Sequence, residues 1–563
     1  MLVAGILLAS LALDVVWLRR FRFGYVTEWD ESGYIAIALR NTDALLSGGP
    51  AALFPEFERQ GSLSPLVPLF TVPFAALGGQ EVFPSLLAVL AFFSGLVLAV
   101  YGVARRLLDP AWAALAALCV AAAPAVVDYS RLYHFAVPAA AFLTAAVWAL
   151  LRSDRLERRG WVIAAGVLAG LMTLTRTMTI SYLPGLGAAA LLQLAVVPQA
   201  RGRRATNLGL GALAAAAVAA TWYARNFREV GRYLVSTGYG ERSQAYGEGR
   251  SVLSWEYWSK ELRLVLDQTY VPLAAAVALC VLAALLQWLH ARSRREPLGA
   301  PVRDWAASDA AVLIVVVLEG YLALVSSRNE GTAFALPWLP ALIVLAVAAA
   351  ARVRVRAARL GLAALLAAVC LVNLLMKSGW VGPLAEPRTV SLPALGSRPV
   401  TDGRGIIQLE VGGAGYDVGS PTEPLPELHR GWLPFTRSFT GRLLEAADRS
   451  GQRPFVVFGS DHGLFNNTRV LLADALWFER NVVVGFIGIA PGGDREERYR
   501  ARLLELGASF LETAEEGPGP VRITRAKVER AARSLGFTRV ARFAMPDGRT
   551  AWLWRRTSRS AAR

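Results

Sequence analysis

Apolar and polar positions divide the chain into two regimes. As far as about residue 376, runs of roughly 17 to 20 apolar residues recur near 2–18, 82–103, 111–127, 134–151, 161–175, 180–198, 207–223, 271–290, 308–326, 334–351 and 357–376. A helix of that length crosses a bilayer with every backbone group bonded internally, so the pattern predicts about eleven transmembrane helices. The run from Pro65 to Gly79 is too short to span comfortably and reads as re-entrant or interfacial. The opening MLVAGILLASLALDVVWL has no charged leading region and no clear small-residue cleavage site, which predicts a retained anchor. Beyond Met376 the pattern becomes that of a water-soluble mix. PFVVFGS, VVVGFIGIA and TRVARFAM alternate like strands, FTGRLLEAADRS, RVLLADALWFER, ERYRARLLEL and AKVERAARSL like helices, and MPDGRTAW reads as a hairpin. The expected fold is a polytopic α-helical membrane protein with a C-terminal α/β domain. The expected division is 1–376, with large polar loops at 19–82 and 224–270, followed by 377–563.

Composition excludes the alternative of several soluble domains. Of 563 residues, 55% are hydrophobic and 18% charged, and the mean hydropathy is +0.40. The formal charge of +16 is carried almost entirely by arginine, since Lys260, Lys377 and Lys527 are the only lysines among 59 basic residues. Such a balance would suit nucleic acid or anionic lipid, and the distribution of the arginines decides between them. Loops near 104–109, 152–159, 199–206, 291–303 and 352–359 hold seventeen arginines, whereas the alternate short loops hold three, Arg131, Arg176 and Arg328. Placing the seventeen in the cytoplasm makes them topological anchors against anionic lipid and removes any need for nucleic acid. The loops 19–82 and 224–270 and everything after Met376 then lie outside a plasma or bacterial inner membrane. Arg19, Arg20 and Arg22 go against this rule, because they follow the first span on its outer end. Either the chain start is misread or these arginines have work outside. Cys119, Cys280 and Cys370 lie inside apolar runs and read as small core residues.

The first outer loop carries an acid pair in TEWDESGYIAIALRNTDALLSGG. A helix from about Glu31 to Leu46 is expected on the membrane surface, with Tyr34, Ile37, Ala38 and Leu45 toward lipid or the bundle. Asp30 and Glu31 stand at its start, where two readings are compatible. Thr27 as N-cap with Asp30 three residues on satisfies a capping pattern, and acids there complement the helix dipole. An acid at the water–lipid boundary also suits a general base for an incoming hydroxyl.

WDESGYIAIALR, followed by the proline-containing SLSPLVPLFTVPFAALGG, resembles the GT-C integral-membrane glycosyltransferases. The likeness is greatest to the branch holding protein O-mannosyltransferases and the aminoarabinose transferase of lipid A. SRLYHFAVPAAAFLTAAVWALLR, LMTLTRTMTISYLPGL and ATWYARNFREVG resemble later stretches in the family's order, so the resemblance covers the chain to about residue 350. It implies transfer of a sugar from a polyprenyl-phosphate-linked donor to a hydroxyl of a glycan, lipid or protein acceptor, on the extracytoplasmic face. It also implies a catalytic role for Asp30, with Glu31 beside it. Two departures stand out. Many relatives have an acid where this chain has Ala136, leaving His134 or Asp128 as substitutes, and a lysine of the lipid A enzyme is unmatched, with Arg59 as a replacement.

A lipid phosphate leaving group calls for cations, and Arg59, Arg131, Arg176, Arg225, Arg228 and Arg328 are the candidates. Arg176 leads, because a charge between two apolar helices demands a partner, whether phosphate or an acid. Tyr34, His134, Trp255 and Tyr257 are candidate sugar or acceptor contacts; for the aromatics of 224–270 an interfacial belt is the competing reading. FGSDHGLFNN places Asp461 and His462 after a strand, where a ligand site or a plain Gly/Asn turn both fit. No metal-ligand spacing is present, and a divalent cation at Asp30 is compatible with the acids without being required by the pattern. The rival functional class is a lipid or glycan transporter or flippase, which usually shows two matching halves; the sequence shows no such repeat.

Overall fold

The computed structural model describes residues 1–22, 29–59, 63–79, 81–240, 253–293, 306, 308–327, 333–405, 431–488, 494–517 and 523–557. Every one of the eleven apolar stretches is helical. Among the described residues seven helices are long and apolar enough to cross a membrane, and Pro110–Ala121 with Pro124–Ser130, bent by 65°, makes an eighth if counted as one span. Ala136–Arg152, Arg159–Thr175 and Leu339–Ala351 are shorter apolar helices, as is Leu66–Gly78 in the expected re-entrant stretch. The chain is a multi-pass membrane protein.

The loop expected at 224–270 is largely helix. Arg201–Gly238 runs unbroken for 38 residues, and Trp255–Ser293 covers 39 with one interruption. At 1.5 Å per residue the first is about 57 Å long, far more than the ~30 Å of hydrocarbon. The polarity change near residue 224 therefore marks the end of the apolar phase and not the end of the helix. Nothing in ATWYARNFREVGRYLVSTG breaks backbone hydrogen bonding, since it contains no proline. The second long helix does break, at Tyr270 (φ 58°, ψ 157°), two residues before Pro272, which has no N–H to continue the ladder.

Compactness divides the chain differently from composition. One unit comprises Met1–Trp17, Phe57–Val67 and Leu87–Gly403, and the other Leu18–Glu56, Pro68–Leu86 and Arg404–Arg563. Within the first unit the helices Arg159–Thr175 and Arg201–Gly238 touch backbone to backbone. A Cβ on Gly166 would lie 2.0 Å from the Gly211 carbonyl oxygen, so only glycine permits this approach. The hairpin of β1 (Arg388–Leu392) and β2 (Gly396–Thr401) also belongs here.

In the second unit a five-stranded sheet has the order β4-β3-β5-β7-β6. Its strands are β3 (Phe455–Phe458), β4 (Val483–Phe486), β5 (Phe510–Ala514), β6 (Phe537–Ala544) and β7 (Thr550–Arg556). β3, β4 and β5 are parallel; β7 runs antiparallel between β5 and β6. Strand periodicity separates two cores. Val456, Phe458, Phe510 and Leu553 face the helices Trp432–Ser450 and Asn467–Trp477, whereas Val457, Leu511 and Trp554 face Glu496–Leu506 and Arg525–Ser534. The expected strands, helices and hairpin all form. β5 was not expected, because FLETA carries a glutamate at its centre.

That glutamate, Glu512, is fully buried, and burial pushes its carboxyl up to about 8 against a hydrogen bond from the Ser460 hydroxyl, 2.8 Å from each oxygen. The folded protein therefore holds a proton that the unfolded chain releases above an ordinary value of 4.5. Stability should fall as pH rises from about 4.5 to about 8, at roughly 1.4 kcal/mol per pH unit. Thermal unfolding across pH 5–8 should show this slope, and Glu512→Gln should flatten it.

Candidate functional site

The acid pair opens a helix, Trp29–Gly48, but its two members stand in different environments. Asp30 is exposed and Glu31 is fully buried. Glu31 meets Arg22, itself 2% exposed, through both forks: Nη1 donates to Oε1 at 2.9 Å and Nη2 to Oε2 at 2.6 Å. Arg22 thus has its work outside the positive-inside pattern, as a counter-charge. Arg19 lies over the Phe83 ring at 5.8 Å and Arg20 over Phe21 at 5.1 Å. Glu31 is held in an ion pair with Arg22, and Asp30 is the exposed member of the pair. Thr27, the expected cap, lies outside the described residues.

The helix is not the amphipathic surface element that its sequence suggests. Tyr34, Ile35, Ala36, Ala38, Leu39, Asn41 and Thr42 are all buried, so protein surrounds most of its circumference. One face packs on Asn467–Trp477 of the α/β region, with Gly33 against Thr468 and Arg40 reaching Asp474. The polar Asn41 and Thr42 are buried as well, and Thr42 donates to the Ala38 carbonyl at 2.9 Å. Tyr34 is correspondingly turned into protein.

The candidate cations of the other unit separate by what they already hold. Arg131 is 3% exposed; its Nε donates to Asp14 at 2.7 Å, its Nη1 to the Lys377 carbonyl at 2.6 Å, and it lies 4.8 Å from the Trp17 ring. Ser130 completes the arrangement by donating to Asp14 at 2.9 Å. This guanidinium is engaged in the core, where giving up Asp14 for a phosphate would strand a buried carboxylate. Arg176 is half-buried between the rings of Phe334 (4.2 Å) and Phe135 (5.8 Å). Among the described residues no carboxylate of its own unit forms an ion pair with it. Arg225 and Arg228 are exposed on Arg201–Gly238. Arg59 ends the helix Leu53–Arg59, and Arg328 lies outside the described residues.

His134 is 5% exposed and its Nδ1 accepts the N–H of Ala136, the first residue of Ala136–Arg152, at 3.2 Å. Asp128, the other substitute for the missing acid, pairs with buried Lys377 at 2.8 Å, and Lys377 also donates to the Tyr270 hydroxyl at 2.9 Å. Sequence reasoning missed this Lys377–Asp128–Tyr270 cluster. Its one signal was the rarity of lysine. Trp255 is about half-exposed and donates from Nε1 to the Ala394 carbonyl at 3.1 Å; Tyr257 lies 5.3 Å from Lys260 Nζ.

In the α/β region His462 is 1% exposed, 3.3 Å from Asp547 and 4.8 Å from the Trp432 ring. Burial lowers its basicity. Although burial alone would raise Asp547, hydrogen bonds from His462 and Arg549 hold its carboxyl well below the usual range. The pair ties the β3 loop to the β6–β7 turn. Among the described residues no group of three His, Cys, Asp or Glu side chains is placed to hold a metal ion.

Residues 62–223, less than a third of the chain, match the family described as dolichyl-phosphate-mannose-protein mannosyltransferase. No curated protein matches by sequence. Among solved structures the chain is similar to ArnT from Cupriavidus metallidurans bound to undecaprenyl phosphate, with a TM-score of 0.52, 15% identity and 98% of each chain covered. It is also similar to the oligosaccharyltransferase AglB from Archaeoglobus fulgidus in complex with an inhibitory peptide and a dolichol-phosphate. There the TM-score is 0.52 at 11% identity, over 98% of this chain and 74% of that one. Both have the GT-C fold, and so does this chain.

The Arg22–Glu31 pair makes a prediction about stability. Arg22→Met should cost roughly 3–5 kcal/mol by removing the guanidinium that meets both oxygens of the buried Glu31 carboxylate, whereas Arg22→Met with Glu31→Met should cost much less. Thermal unfolding in detergent would measure both.

Proposed function

We propose that the protein transfers a sugar, a hexosyl or pentosyl unit, from a polyprenyl-phosphate-linked donor to an acceptor hydroxyl on the extracytoplasmic face of the membrane. The observation that carries this reading is the difference within the acid pair: Glu31 is buried against Arg22, while Asp30 is exposed at the head of a largely buried helix. The GT-C fold, the mannosyltransferase family match over 62–223, and fold relatives whose structures hold undecaprenyl phosphate and dolichol-phosphate support the donor class.

In this reading Asp30 accepts the proton of the acceptor hydroxyl as its oxygen bonds to the anomeric carbon of the sugar. The bond from that carbon to the lipid phosphate oxygen breaks, and the lipid phosphate leaves as an anion. In this reading Glu31 stays on Arg22, which meets both of its oxygens, and Asp30 is the base. The leaving phosphate needs a cation in a water-poor setting, where a charge-assisted bond counts for more than in bulk water. Arg176 is a candidate on its own surroundings, its charge resting on two aromatic faces and, among the described residues, in no ion pair with a carboxylate of its unit. The acceptor is a glycan, lipid or protein hydroxyl.

Purified protein in liposomes, given a panel of labelled polyprenyl-phosphate sugars, should release lipid phosphate from one class of donor. Movement of intact donor across the bilayer without loss of sugar would instead establish a transporter. With the active donor, Arg176→Met should raise KM about 10- to 100-fold, the value of one charge-assisted hydrogen bond.

A further inference from the structure

The Asp30 helix is held by a partner 434 residues further along the chain. Gly33 faces Thr468, and a Cβ added at Gly33 would sit 3.5 Å from the Thr468 methyl carbon. Two turns later Arg40 Nη2 donates to Asp474 Oδ2 at 3.3 Å and to the Val482 carbonyl at 3.2 Å. The contacts rise together, 33 with 468 and 40 with 474, so the two helices run parallel and their N-termini lie at the same end. Parallel dipoles give such a pair no help, and specific fastenings must hold it. Asp474 is suited to that task. It is fully buried, and its carboxylate also accepts the backbone N–H of Arg480 at 3.0 Å and of Val482 at 2.9 Å, which joins the end of Asn467–Trp477 to the entry of β4.

Register is what an acid on the first turn of a helix needs. A slip of one residue moves it about 1.5 Å along the axis and turns it about 100°, whereas a base works only within about 2.6–3.2 Å of its proton. Resting on the reading of Asp30 as that base, we propose that the C-terminal α/β region is a positioning element of the transferase. The helix Asn467–Trp477 splints the Asp30 helix, with Gly33, Thr468, Arg40 and Asp474 as positioning residues. The α/β region is then part of the catalytic apparatus, and its attachment to the Asp30 helix is as much a requirement for turnover as the acid itself.

The test uses full-length protein in liposomes with the donor that the panel identifies, and reads two quantities: kcat against KM, and hydrogen–deuterium exchange of residues 29–48. Gly33→Leu, which pushes on Thr468, and Arg40→Met should each lower kcat about 10- to 100-fold with donor KM within about twofold, and should raise exchange in the helix. Thr468→Ala combined with Gly33→Leu should recover most of the lost kcat, and Arg40→Lys should keep more than Arg40→Met. Loss of kcat in step with loss of folded protein, without recovery in the double variant, would overturn the proposal in favour of a merely structural contact. Lost turnover with unchanged exchange would overturn the splint and spare Asp30. Raised exchange with full turnover would overturn the proposal through the role of Asp30.

Discussion

Two opposite charges taken out of water cost several kcal/mol each unless they meet in good geometry, and Arg22 and Glu31 meet through both forks with almost no exposure. The pair ties the end of the first apolar helix to the start of the Asp30 helix. It buries one acid of the pair against a counter-charge, while the neighbouring acid, Asp30, is exposed. It also resolves the conflict between the arginines after the first span and the positive-inside pattern. Those arginines are not topological signals that failed; one is a counter-ion and two lie against aromatic rings.

The charge of the whole chain reads differently for the same reason. Arginine-rich loops set the expected orientation, yet some of these arginines also build the loops. Arg204 is buried and donates to the carbonyls of Arg155, Val197 and Gln193, and Arg106 pairs with Asp309 at 2.9 Å. The three lysines are as informative as the arginines. Lys377 is fully buried against Asp128 and Tyr270, Lys260 donates to the Ser327 carbonyl, and Lys527 reaches Asp494 at 2.7 Å. At Lys377 the ammonium donates to two partners, Asp128 and Tyr270, in a fully buried site that suits a compact cation.

Periodicity made most of the fold legible, since apolar length and strand alternation are local properties. The helices from Leu2–Phe21 to Arg356–Ser378 and the strands β3, β4 and β6 follow directly from them. What escaped depends on partners far away in sequence. β5 was hidden because Glu512 is buried against Ser460, 52 residues away. The helical state of 224–238 and 255–270 was hidden because polarity reports solvent and not hydrogen bonding. The site was legible in part. WDES marked Asp30, but nothing local distinguishes Asp30 from Glu31, and that difference comes from Arg22. Likewise no local feature of YIAIALRNT shows that its surroundings are the α/β region, because the partners of Gly33 and Arg40 are Thr468 and Asp474. His134 and Arg131 looked available as sequence and are occupied in the structure.

The central claim is that one exposed acid, singled out by a buried ion pair beside it, performs the transfer. The most direct measurement compares Asp30→Asn with the unaltered protein at matched occupancy by polyprenyl phosphate. The account predicts that lipid-phosphate affinity and thermal stability are retained while release of sugar from the donor falls by at least about a thousandfold, as expected for loss of a general base. An Asp30→Asn protein that still turns over donor at a rate near that of the unaltered chain would contradict it.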